Sequence, residues 1–112
     1  MTGARVMVVL LCVCAAPLWA QRTHVLIISG LGGEPAYSAT FASQARALRA
    51  VAKERWQAPD SSLVWLAEDV GVDPARVRAR ATKEEVERAI TGLAGRATAG
   101  DLVMVVLIGH GS

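Results

Sequence analysis

Four unbroken apolar runs and two periodic ones divide the chain. Three of the unbroken runs have the length of a strand: Thr23 to Ser29, Leu63 to Ala67, and Leu102 to Ile108. Continuous aliphatic and β-branched sequence of this kind suits strands buried on both faces, as in a parallel sheet flanked by helices. Between the first two runs, Phe41, Ala45, Leu48, Ala52 and Trp56 recur every three or four residues. That spacing predicts a helix over Ser38–Trp56 with one apolar face. Between the second and third runs, Ala75 to Arg80 reads as a single helical turn. Thr82 and Glu85 then match the S/T-x-x-E capping box, and Val86, Ile90, Leu93 and Ala97 continue an apolar helical face. Gly92 and Gly95 weaken its second half.

The predicted order is βαβαβ. Short connections and right-handed crossovers favour a three-layer α/β fold with a parallel sheet of order 2-1-3. Ligands of such sheets sit beyond the carboxyl ends of the strands, where the winding direction reverses. The loops expected at that edge are Gly30–Tyr37, Glu68–Asp73 and Gly109–Ser112. The third run leads directly into Gly109-His110-Gly111-Ser112, so residues 21–112 are expected to be the N-terminal part of a longer domain, with one sheet face uncovered.

The fourth unbroken run, Val6 to Ala16, lies behind Arg5 and ahead of Pro17-Leu18-Trp19-Ala20. A basic start, a short apolar stretch and a small residue before a cut at Gln21 are the layout of a secretory signal peptide over residues 1–20. The stretch is short for a bilayer span, so no stable membrane segment is expected after cleavage, and the protein is expected to be secreted or periplasmic. Cys12 and Cys14 depart with this leader, leaving neither a disulfide nor a thiol in residues 21–112. Arg5 departs too, so eleven basic residues face ten acidic ones. A net charge of +1 gives no electrostatic footprint for nucleic acid.

His110 is the main candidate for chemistry. It follows a buried run between two glycines that let the chain turn and keep the imidazole uncovered, and an imidazole there exchanges protons near neutral pH. Gly30-Leu31-Gly32-Gly33 after the first run reads as a cradle for a phosphate, as room for a substrate, or as a tight turn. It does not complete G-x-G-x-x-G, because Pro35 holds the sixth position. Glu68-Asp69 reads either as a carboxylate site for a basic substrate group or a metal ion, or as a solvated pair capping the next turn. His24 opens the first strand at the opposite edge and is expected to be structural, while Trp56 and Trp65 are expected to pack in the interior. No metal-ligand constellation or cofactor motif emerges.

A buried strand ending in His-Gly-Ser, third in a βαβαβ unit, resembles legumain and its relatives, the C13 cysteine peptidases of the caspase-like clan. The resemblance spans Thr23–Ser112, and its specific part is His110-Gly111-Ser112. It implies a caspase-like sheet and a peptide or protein substrate. His110 would be the proton-transfer partner of a cysteine, Gly111 an oxyanion donor, and Gly32, Gly33 and Ser112 substrate-binding positions. The family's cysteine follows a fourth strand, a few dozen residues beyond the position of Ser112. Where legumain has the asparagine that supports its histidine, this chain has Gly32. Where legumain has Arg-His after the tyrosine matching Tyr37, it has Ser38 and Ala39, so asparagine specificity is not implied.

The alternative is a non-catalytic binding or scaffold module on the same fold. An α/β-hydrolase fits less well, because Gly111 stands where the nucleophile elbow needs serine. Tetrapyrrole metal chelatases also use Gly-His-Gly-Ser, but after their first strand rather than their third.

Overall fold

The computed structural model describes Gly3 and residues 21–111. The rest of the expected leader, and Ser112, lie outside the described residues. The elements are β1 (Thr23–Ser29), α1 (Pro35–Glu54), β2 (Leu63–Ala67), β3 (Ala79–Arg80), α2 (Lys83–Arg96) and β4 (Leu102–Ile108), with single 3-10 turns at Asp60–Ser62 and Val70–Val72. One sheet of order β3-β2-β1-β4 holds all four strands, and every pairing is parallel. The α/β class thus stands, and the three apolar runs are β1, β2 and β4, lying side by side in the expected order. β3 is an addition at the far edge.

Alternate residues of each strand feed two separate cores. On the α1 side, Val25 and Ile27 of β1 and Leu63, Trp65 and Ala67 of β2 pack with Ala42, Ala45 and Ala52 of the helix. Small residues on α1 let it lie close to the sheet, where Trp65, only 1% exposed, fills the space beneath. Its indole Nε1 donates to Ser29 Oγ at 2.9 Å, so the one polar atom of the ring is satisfied in the interior. On the other side, Leu26, Val64 and Leu66 pack with Leu93 of α2.

Three local expectations need correction. α1 begins at Pro35 rather than near Ser38. Proline suits the first helical position because its missing N–H would have had no partner there, so the edge loop shrinks to Gly30–Glu34. Residues 75–80 do not make a helical turn. A turn at Pro74–Arg76 leads into β3, drawn into the sheet by Leu66↔Ala79 and Ala67↔Arg80 pairing. The capping box at Thr82 is half formed: Thr82 Oγ1 accepts from Glu85 N–H at 3.3 Å. The Thr82 N–H donates to Arg80 O instead, and Glu85 turns its carboxylate to Arg88.

At the amino edge, His24 is 3% exposed and its Nε2 bonds Asp101 Oδ2 at 3.0 Å, which clamps the start of β1 to the start of β4. Asp101 also accepts from the Thr98 N–H and hydroxyl and from the Arg22 N–H. The Thr98 N–H foremost, and then His24, hold its carboxyl well below the usual carboxylate range. A carboxyl lowered on folding stabilises the fold above its unfolded pKa and loses that contribution as pH falls through the folded one. Asp101→Asn should therefore be less stable than the parent at pH 7 and lose less on acidification below about pH 4. Urea midpoints from pH 7 to pH 2 would show the two curves converging, and parallel curves would refute the assignment.

α2 lies over β2 and β1 and leaves β4 bare on its side. The register places Val103, Val105 and Leu107 on the face of His24, Leu26 and Ile28, yet Val105 is 49% and Leu107 76% exposed. Among the described residues β4 is also a sheet edge, and it carries no charge or proline to discourage pairing with another chain. Val105→Lys with Leu107→Lys should suppress concentration-dependent association, seen by light scattering, while shifting stability by only about 1 kcal/mol. Unchanged scattering would place the sticky surface elsewhere.

Candidate functional site

The parallel sheet brings the ends of β1, β2 and β4 to one edge, and each contributes one part of a linked group. β4 delivers His110 two residues past its end. Gly30 N–H donates to Ile108 O at 2.9 Å, which carries the β1–β4 ladder one step beyond the strands and sets the next loop against the histidine. His110 Nε2 meets Gly32 O at 2.8 Å. A carbonyl oxygen only accepts, so Nε2 carries the proton, and in the neutral ring Nδ1 holds the lone pair.

Two aromatic rings from the first turns of α1 hold the imidazole in place. Tyr37 meets it edge-on, with centroids 4.7 Å apart and planes at 84°. Phe41, one turn further on, lies 5.1 Å away at 59°. Starting α1 at Pro35 is what brings both rings to the strand edge. His110 itself remains exposed, so its ring is oriented by these contacts while the residue keeps access to solvent.

Gly32 is buried and has no room for a side chain. A Cβ there would press against Ser38 Oγ and lie 2.8 Å from Ser38 Cα. Its own N–H donates to Glu68 Oε2 at 2.9 Å. The Ser38 hydroxyl first, and then that N–H, keep the Glu68 carboxyl below its ordinary value, so it is held as a carboxylate. Glu68 follows β2 directly, and Arg80 of β3 donates through Nε to its carbonyl at 3.3 Å. The chain of contacts therefore runs from Glu68 through the backbone of Gly32 to His110.

Gly33 adopts φ +80°, the left-handed region open to glycine, and is exposed. Gly111 is exposed beside His110, and Ser112 lies outside the described residues. Asp69 caps the Val70–Val72 turn by accepting from Gly71 N–H at 2.6 Å, whereas its neighbour Glu68 turns inward. A hollow of roughly 180 Å3, bounded by Gly30, Leu31, Glu68, Arg80, Ala81 and Thr82, opens beside this loop. Among the described residues no three His, Cys, Asp or Glu side chains are placed to hold a metal ion, and no helix is long and apolar enough to cross a membrane.

Sequence reasoning singled out His110, Gly32 and Gly33 but missed Tyr37, Ser38, Phe41 and Glu68 as parts of one group. A usable signal was present for Glu68. In a parallel pair with Ile28 beside Leu66, the residues just past the two strands emerge at the same edge, so a carboxylate there falls beside the glycine loop. No family model, curated protein or solved structure matches the chain.

Proposed function

We propose that this chain carries the histidine half of a cysteine-peptidase site of the legumain-like, caspase-like type, with His110 as the proton-transfer residue. One observation carries the reading: the 2.8 Å bond from His110 Nε2 to Gly32 O, which fixes the tautomer and leaves Nδ1 as the base. In this proposal Nδ1 takes the proton of a cysteine thiol, the thiolate adds to the scissile carbonyl, and the imidazolium returns the proton to the departing amine. The Gly111 N–H would donate to the oxyanion. Gly32 O takes the orienting role that an asparagine fills in legumain, so the departure at this position keeps the function through a backbone atom.

The reading needs a thiol near His110. Cys12 and Cys14 are the cysteines of this sequence, both in the expected leader, and the proposal places the nucleophile in sequence following Ser112. Export through the leader and a peptide substrate belong to the same proposal. To test it, the complete reading frame is expressed and treated with a peptidyl acyloxymethylketone. Covalent labelling of a cysteine, abolished by His110→Ala, is the expected result. A folded protein that takes no label, or whose labelling ignores His110, would favour a non-catalytic module on the same sheet.

A further inference from the structure

Glu68 stands apart from the other carboxylates of this protein. Glu34, Glu54, Asp69 and Glu84 likewise have no cation within ion-pair distance among the described residues, but all four are exposed. Glu68 is half-buried, and a carboxylate withdrawn from water without a counter-charge is unfavourable unless hydrogen bonds replace the lost hydration. The neighbouring Arg80 does not supply that charge, because its Nε goes to the Glu68 main-chain oxygen. The carboxylate is held instead by the Gly32 N–H, 2.9 Å from Oε2, and by the Ser38 hydroxyl.

The loop that Glu68 reaches has few side chains with which to hold itself. Leu31 is 74% exposed, Gly32 and Gly33 have none, and Gly33 sits at φ +80°. Gly30 ties one end to β4 through Ile108 O, and α1 fixes the other from Pro35 onward. Between them, the bond from Gly32 N–H to Glu68 ties the middle of the loop to the end of β2. Glycine has the widest choice of backbone angles, so an external bond must select one of them. With its N–H held toward Glu68, Gly32 presents its carbonyl to His110 Nε2 at 2.8 Å. A carboxylate makes that hold about twice as strong as a neutral acceptor would.

We propose that Glu68 is a positioning residue for His110: by holding the Gly32 N–H it keeps the Gly32 carbonyl on Nε2 and so selects the Nε2–H tautomer. Its importance for catalysis rests on the reading of His110 as the proton-transfer residue, but the positioning itself needs neither a cysteine nor a substrate.

The test reads the ring nitrogens of His110 by 15N NMR in the histidine-labelled chain at about pH 8, where an ordinary imidazole is neutral. Glu68→Ala removes the acceptor and should turn a predominantly Nε2–H ring into an averaged one. Glu68→Asp keeps the charge but is one methylene shorter, and should do the same. Glu68→Gln keeps an oxygen within reach of the Gly32 N–H and should restore the parent spectrum. Asp69→Ala loosens the same connection by removing the cap of the Val70–Val72 turn, and should leave the ring unchanged. In the complete reading frame, Glu68→Ala should also slow labelling by the ketone about tenfold, and Glu68→Gln should rescue it. A Glu68→Ala ring that stays in the Nε2–H form would overturn the proposal. An Asp69→Ala ring that averages as well would also overturn it, because loosening alone would then suffice. Should Glu68→Ala fail to fold, Glu68→Asp against Glu68→Gln makes the same comparison. If the ring responds as expected while the parent takes no label, the positioning stands and the peptidase reading falls.

Discussion

Replacing Trp65 by alanine should cost about 3–5 kcal/mol, the largest loss expected from any single substitution in this fold. The indole is almost fully enclosed between β1, β2 and α1, and the alanines facing it on the helix have no larger rotamers with which to refill the space. The loss includes a hydrogen bond, because Ser29 Oγ would keep its 3.4 Å bond to Leu66 O but lose the indole N–H that donates to it. A small domain has about 5–15 kcal/mol of stability in total, so Trp65→Ala should be largely unfolded well below the parent's urea midpoint. Trp65→Phe separates the two contributions: it retains most of the ring and should cost about 1 kcal/mol for the hydrogen bond together with a modest packing loss. Urea titrations followed by circular dichroism measure both. A loss under about 1 kcal/mol for the alanine variant would show that the interior collapses around the gap.

Gly32→Asn is the second large effect, and it runs against what the proposed likeness to legumain suggests. By that likeness, an asparagine at position 32 completes a His–Asn pair. In this fold it should do the opposite. The new Cβ meets Ser38 at distances real side chains do not adopt, and the obstruction includes the Ser38 backbone N and Cα as well as its hydroxyl, so turning the hydroxyl away does not relieve it. The loop must move, which costs about 1–3 kcal/mol and carries Gly32 O away from His110. His110 should then sample both tautomers, visible as averaged 15N shifts of the ring, where the parent shows a predominantly Nε2–H form. Gly32→Ala should give the same spectrum, since the obstruction lies at Cβ. Glu68→Gln separates steric from electrostatic causes: its amide still offers an oxygen to the Gly32 N–H, so the tautomer preference should persist. An Asn variant that retains both stability and the Nε2–H form would refute the crowding argument.

Much of the fold was legible because the strands are continuous apolar runs with unambiguous ends. β1 and β2 fall on the residues expected from Thr23–Ser29 and Leu63–Ala67 alone, and β4 on Leu102–Ile108. Their order followed from chain handedness, which needs no side-chain detail. β3 was invisible because two residues carry no period, and Ala79–Arg80 becomes a strand only by tertiary pairing with β2. The start of α1 was misplaced because the apolar period that predicts it begins only at Phe41, whereas its first turn opens on Pro35, which suits that position without contributing to the period. That error also hid the candidate site's walls, since Tyr37 belongs to the first turn of the helix rather than to a loop. His110 was legible from its glycine neighbours. Glu68 was not, because its partner is a backbone N–H 36 residues away, and an adjacent acidic residue made the pair look solvated. Asp69 matches that description; Glu68 does not.

The parallel pairing of β1 with β4 also decides how the molecule would answer a pulling force. The ladder runs from Leu102 N–H to Arg22 O at one end and from Gly30 N–H to Ile108 O at the other, with the His24–Asp101 clamp beside the first. Tension applied between residues 22 and 110 draws β1 by its amino end and β4 by its carboxyl end. These ends lie at opposite extremes of neighbouring strands, so the load runs along the ladder and its slanted, evenly spaced bonds share it. Rupture then requires the whole ladder to slip in shear, whereas traction on a hairpin opens its bonds one at a time. A protein built this way resists extension at the strand pair that presents His110, and β2, β3 and both helices, lying between the two strands in sequence, stay outside the load path until that ladder slips.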